Sequence, residues 1–185
     1  MSPDPICVAF GDLVDYWTAD LAAAEAAYVE EHLFACSACA DRLADIVALG
    51  EGVAAAIRGS RVQVVITESV LNALQRAGVR IRSYTLVPGQ TVPCAVWPAD
   101  QLVVGRLRGD FTGFERVSLA FAMNDQEMAR SHDVPVPSGP GEILDAIPAA
   151  RLRQLPSCQL RLTLSGTRGG REEVIGTYGL EHSAT

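Results

Sequence analysis

The spacing of apolar residues along the chain changes near residue 60. Before that point they recur at three and four residues. Leu13, Val14 and Trp17 share one face of a short predicted helix running from about Phe10 to Trp17. Leu21, Ala24, Tyr28, Leu33 and Phe34 follow at helical spacing, with Asp20 placed to cap that second helix. A third helix is predicted from near Cys36 through Leu43, Ile46, Val47 and Leu49, continuing past Gly50 and Gly52 to Gly59-Ser60.

After residue 60 the period falls to two. Val62 to Ile66 is rich in β-branched residues, and one short amphipathic helix follows from Thr67-Glu68 to Gly78, carrying Val70, Leu71 and Leu74. From Arg80 onward the pattern is that of strands. Val117, Leu119, Phe121 and Met123 alternate with smaller or polar residues, as do Leu160, Leu162 and Leu164, and Val174, Tyr178 and Leu180 share a face. Turn residues separate the runs, at Pro88-Gly89, Asn124-Asp125, Ser138 to Gly141 and Gly169-Gly170. The expected fold class is α+β. A small all-α domain over residues 1–60 precedes an antiparallel β-sandwich over 61–185, of jelly-roll or immunoglobulin-like kind.

Charge divides the chain at the same place. The net charge is −7, yet residues 1–60 hold ten acids and two Arg, and the remainder is nearly neutral. All 15 basic residues are Arg. Such a chain does not suit general nucleic-acid binding, which rests on clustered basic side chains. No apolar stretch approaches the ~20 residues of a membrane span. The start, Met-Ser-Pro-Asp-Pro, lacks a signal pattern. A cytoplasmic location is expected, with no membrane and no direct nucleic-acid partner.

Five cysteines are an odd number for a disulfide scaffold, and in a reducing compartment clustered cysteines point to metal or redox chemistry. His32, Cys36 and Cys39 form His-x-x-x-Cys-x-x-Cys. One helical turn separates His32 from Cys36, and a Cys-Ser-Ala-Cys knuckle brings Cys39 beside it. A closed zinc site takes four ligands, and Cys7 is the only further Cys or His before residue 60. Alone, the Cys-x-x-Cys also fits a redox pair, or two buried cysteines beside a surface His. The upstream Cys and the His one turn ahead favour zinc.

Residues 7–45 resemble the zinc-binding anti-sigma factor domain. The match runs through Cys7, Tyr16-Trp17, Leu21, Glu25, Val29 to Leu33 with His32 inside it, Cys36, Cys39 and Leu43. The resemblance implies zinc on Cys7, His32, Cys36 and Cys39. It also implies a helical domain that holds a sigma factor, of the extracytoplasmic-function type, away from RNA polymerase. The acidic balance of residues 1–60 suits a basic partner surface. Some members of that family release sigma when the thiolates oxidise; here a structural zinc is expected.

The rest of the chain shows no enzyme signature. Gly-x-Ser-x-Gly, a phosphate loop and His-Glu-x-x-His are all missing, and Ser165 to Gly170 reads as a hairpin loop. A metal cupin, which some such regulators carry, needs a His-x-His pattern that His132 and His182 do not make. Cys94 and Cys158 lie in apolar runs and read as buried thiols, with a redox pair or a second metal site as the alternatives; Trp97 and Tyr84 read as core aromatics. The expected function is that of a non-enzymatic transcription regulator: a soluble zinc-binding anti-sigma factor whose β-domain senses a signal or dimerises. The alternative is a zinc-stabilised scaffold or dimerisation protein with a ligand-sensing β-domain and no sigma partner.

Overall fold

The structure is a computed structural model and describes residues 7–58 and 64–184. Three helices come first: α1 (Phe10–Thr18), α2 (Ala23–Ala35) and α3 (Ser37–Arg58). Strand β1 (Val64–Ile66) and helix α4 (Glu68–Arg76) follow. Then come β2 (Ile81–Leu86), β3 (Thr91–Ala95), β4 (Leu102–Asp110), β5 (Arg116–Met123), β6 (Gln126–Ser131), β7 (Pro140–Pro148), α5 (Ala149–Leu152), β8 (Cys158–Arg168) and β9 (Arg171–Ser183). The fold is α+β, with a helical N-terminal region. Val62, which the sequence places in the first strand, and the predicted Gly59-Ser60 helix stop lie outside the described residues.

The chain forms two compact units, one of residues 1–56 with 68–77 and the other of 57–67 with 78–185. Helix α4 therefore belongs with the helices, although its sequence lies beyond residue 60. Tertiary hydrogen bonds account for this: Arg76 Nη2 donates to the Thr18 carbonyl at 2.5 Å, and Ser69 hydrogen-bonds Asp20. Asp20 does not cap α2, as the sequence had suggested. It accepts from the buried Thr18 hydroxyl at 2.7 Å, while Glu25 reaches back to the Ala22 N–H at 3.2 Å.

Among the described residues of the helical unit, Val8, Leu13, Val29, Cys36, Cys39 and Ile46 form one buried cluster, flanked by Trp17, Leu21 and Leu33 among others, and Leu71 and Leu74 of α4 are buried as well. Two members of that cluster are cysteines. Tyr28 and Phe34 were expected on the buried face of α2, but Val29 is buried and both aromatics are exposed, Phe34 at 95%.

In the second unit the strands form two sheets, ordered β1-β7-β4-β2 and β3-β9-β8-β5-β6. Both contribute side chains to one core, including Leu86, Leu107 and Ile143 from the first and Phe121, Leu162 and Tyr178 from the second. The sheets are mixed, which corrects the antiparallel expectation: β2 runs parallel to β4, and β3 parallel to β9. Alternation of apolar residues reports which face of a strand is buried and carries no information about its neighbour's direction. Strand β6, exposed along its length, had no apolar alternation to announce it. The hairpin between β8 and β9 turns on Gly169 and Gly170, both with positive φ (55° and 75°), the geometry a two-residue turn requires.

Candidate metal centre

Helix breaks on either side of α2 gather the predicted ligands. Cys7 stands just ahead of α1, which is anchored by the buried Val8 and Leu13. Tyr16 Oη donates to Glu30 Oε1 at 3.1 Å and ties α1 to α2. Helix α2 ends at Cys36, whose backbone turns extended (φ −128°, ψ 101°) while its N–H still donates to the His32 carbonyl at 2.9 Å. Helix α3 then begins at once, placing Cys39 in its first turn.

The result is a cluster. The sulfurs of Cys7, Cys36 and Cys39 lie within 4.8 Å of one another, close enough to bind one metal ion. His32 joins through Cys39, with Nε2 3.3 Å from that sulfur. Cys36 and Cys39 are buried and Cys7 is exposed.

The electrostatics of the thiols follow from this crowding. The Cys39 backbone N–H at the start of α3 holds the Cys36 thiol below its ordinary value, helped by the Cys39 and Cys7 side chains and the Ala38 N–H against the opposing effect of burial. Cys7 is pushed up, chiefly by its contacts with Cys39 and Cys36, because a thiolate there would face like charge. Such a set carries several thiolates only with a cation among them.

The two remaining cysteines lie in the β unit. Cys94 on β3 and Cys158 on β8 are each paired in register with the same residue, His182 of β9. With a strand between them, their Cα atoms stand about 9.6 Å apart, two strand spacings. A disulfide needs less than about 7 Å. The redox-pair reading is therefore corrected: these two thiols cannot join. Burial pushes both up, and both read as neutral thiols. His182 is itself buried. Its parity with Tyr178 and Leu180 along β9 was the sequence signal for that placement.

Other sequence candidates fall elsewhere. His132 is exposed and lines a polar cleft of about 490 Å³ with Arg116, Ser118, Arg130 and Thr167. Trp97 is 59% exposed, which corrects its core assignment; Arg82 stacks over its ring at 5.6 Å. Tyr84 is partly buried, with its hydroxyl on the Ala95 backbone. Several arginines of the strands are engaged by acids: Arg82 with Asp100, Arg106 and Arg108 with Glu142, and Arg161 with Asp125. Among the described residues no helix is long and apolar enough to cross a membrane.

No protein-family model matches the chain, and no curated protein matches it. Among solved structures, the N-terminal domain of phage TP901-1 ORF48 aligns at 15% identity with a TM-score of 0.33, over 56% of this chain and 98% of that one.

Proposed function

We propose that the chain is a zinc-dependent regulator whose helical unit binds and sequesters a sigma factor, without catalysis. The observation that carries this reading is the convergence of Cys7, Cys36 and Cys39, with His32 against Cys39. Three thiolates and an imidazole are a donor set that a closed structural zinc site accepts, and tetrahedral zinc with Zn–S of about 2.3 Å sets its sulfurs about 3.8 Å apart. In this reading all four residues are ligands. The zinc ties the chain ahead of α1 to the break between α2 and α3, through ligands of which Cys36 and Cys39 are buried.

A second feature supports a protein partner. Leu33, Ala40, Leu43, Ala44 and Val47 line an open groove of about 420 Å³ on α2 and α3. Phe34, next to Leu33 in the chain, is 95% exposed, and Leu49 further along α3 is 69% exposed. An apolar groove on an acidic helical unit suits an amphipathic, basic helix, with apolar side chains for affinity and charge for encounter. The strands in this reading form a β-sandwich that senses a signal or dimerises.

The test pairs the zinc-loaded chain with purified sigma factors of its own organism. A one-to-one complex on gel filtration is expected with one of them. Phe34→Ala should weaken it at least tenfold without changing zinc content, and Cys36→Ser should abolish it. Full zinc loading with no complex for any sigma factor overturns the reading.

A further inference from the structure

His182 is 2% exposed, and among the described residues neither of its ring nitrogens has a hydrogen-bond partner. An imidazole carries at least one donor and one acceptor, or two donors when charged, and leaving both ends unpaired in a core is costly. A group in that position calls for a water or an ion that the fold is built to hold.

Strand register fixes what surrounds the ring. Cys94 lies opposite His182 on one side and Cys158 on the other. Register partners project to the same face of a sheet, and all three side chains are buried. The adjoining row, Val92, Leu180 and Leu160, is apolar. The Tyr84 hydroxyl donates to the Ala95 carbonyl at 2.7 Å, accepts its N–H at 3.1 Å and also contacts the Cys94 thiol, so it is already engaged. A buried water needs two to four polar partners, and thiols are weak ones. A soft metal ion, by contrast, takes a thiolate and a neutral imidazole as its preferred donors.

The layout selects among metals. Zinc requires four donors around one point. Here the donors are strung over three strands, and each sulfur is one strand from the imidazole and two from the other sulfur. A sulfur–nitrogen pair suits a monovalent ion content with two ligands. We propose that His182, with the flanking thiols of Cys94 and Cys158, forms a second metal site for a soft, low-coordinate ion of the copper(I) class. Binding forms one metal–sulfur and one metal–nitrogen bond, and the thiol proton leaves to solvent; nothing is oxidised or reduced. Strand β3 ends at Ala95, β9 at Ser183, and β8 begins at Cys158, so the row lies at the rim of its sheet, where an ion can reach it.

The experiment titrates the zinc-loaded full chain with Ag(I), a redox-inert probe of the same class, counting bound silver and released zinc together. The wild type should bind one silver beyond those that displace zinc, and the thermal transition of the β unit should rise as it does so. His182→Leu, which keeps an apolar side chain in the core, should lose that one silver and the thermal shift. A Cys94→Ala/Cys158→Ala double variant, which removes only two small side chains, should do the same. Absence of the extra silver in the wild type overturns the site, as does its full retention in either folded variant.

Discussion

His32 Nε2 stands 3.3 Å from Cys39 Sγ, although seven residues separate them in sequence. In an unbroken α-helix, residues seven apart lie about 10.5 Å from each other along the axis. The contact exists because the chain leaves the helix at Cys36 and re-enters it at Ser37. The knuckle therefore makes the cluster, and the cluster holds α2 to α3.

The metal should then be a condition for folding the helices. His32→Ala or Cys39→Ser is expected to weaken zinc binding by more than about a hundredfold, beyond the 10–100-fold typical of losing an outer-shell partner. A chelator should remove much of the helical far-UV signal while the β unit keeps its own thermal transition. Because protons compete for the thiolates, zinc release should be promoted by acid. Zinc content against pH, followed by helix content, checks each point.

Gly50 lies in the middle of α3 against the Trp17 ring, and a Cβ there would fall within the ring's contact distance. Gly→Ala inside a helix ordinarily stabilises by about 1 kcal/mol. At Gly50 the overlap should reverse the sign, with a net loss of about 1–3 kcal/mol. Gly52, on the same helix, faces open space, so Gly52→Ala should stabilise. Opposite shifts in the thermal midpoint of the zinc-loaded chain are the expected result; equal shifts would remove Trp17 from this role.

Tyr178 is fully buried and donates to the Arg108 carbonyl at 2.7 Å, a bond from β9 in one sheet to β4 in the other. Burial pushes its hydroxyl up to about 12, so the bond persists throughout the neutral and mildly alkaline range. Tyr178→Phe keeps the ring and removes the donor. The expected cost is about 1 kcal/mol, read by denaturant unfolding of the β unit.

Acid should weaken the β unit through two carboxylates. Burial works against ionisation of Asp100, but Arg82 Nε at 2.6 Å and the Trp97 N–H at 2.8 Å hold its carboxyl below the usual range. Glu142 is held low by Arg108 at 2.9 Å and, against some burial, by Arg106 at 2.8 Å. Both pKa values are depressed on folding. Their contribution is therefore complete above the unfolded values of about 4 and is lost as pH falls through the lower, folded ones. Asp100→Asn should lower stability at pH 7 and make the acid limb less steep. An unchanged limb would show that the Arg82 pair carries none of the acid dependence.

The sequence by itself determined the donor types and their local order. Helical spacing sets His32 one turn from Cys36, and the Cys-Ser-Ala-Cys knuckle brings Cys39 beside them. It also determined the helical start, the switch to strands and most of the buried face of each strand, because burial repeats every two residues. The tertiary structure decided what spans longer distances. It grouped α4 with the helices through Arg76 and Asp20. It set β2 and β3 parallel to their partners, since alternation is blind to a neighbour's direction. It placed His182 in register between Cys94 and Cys158, so that two cysteines which read alike in the chain lie two strands apart and cannot bond to each other. Periodicity is a property of one segment. Register and direction belong to pairs of segments, and they are fixed only when the whole core packs.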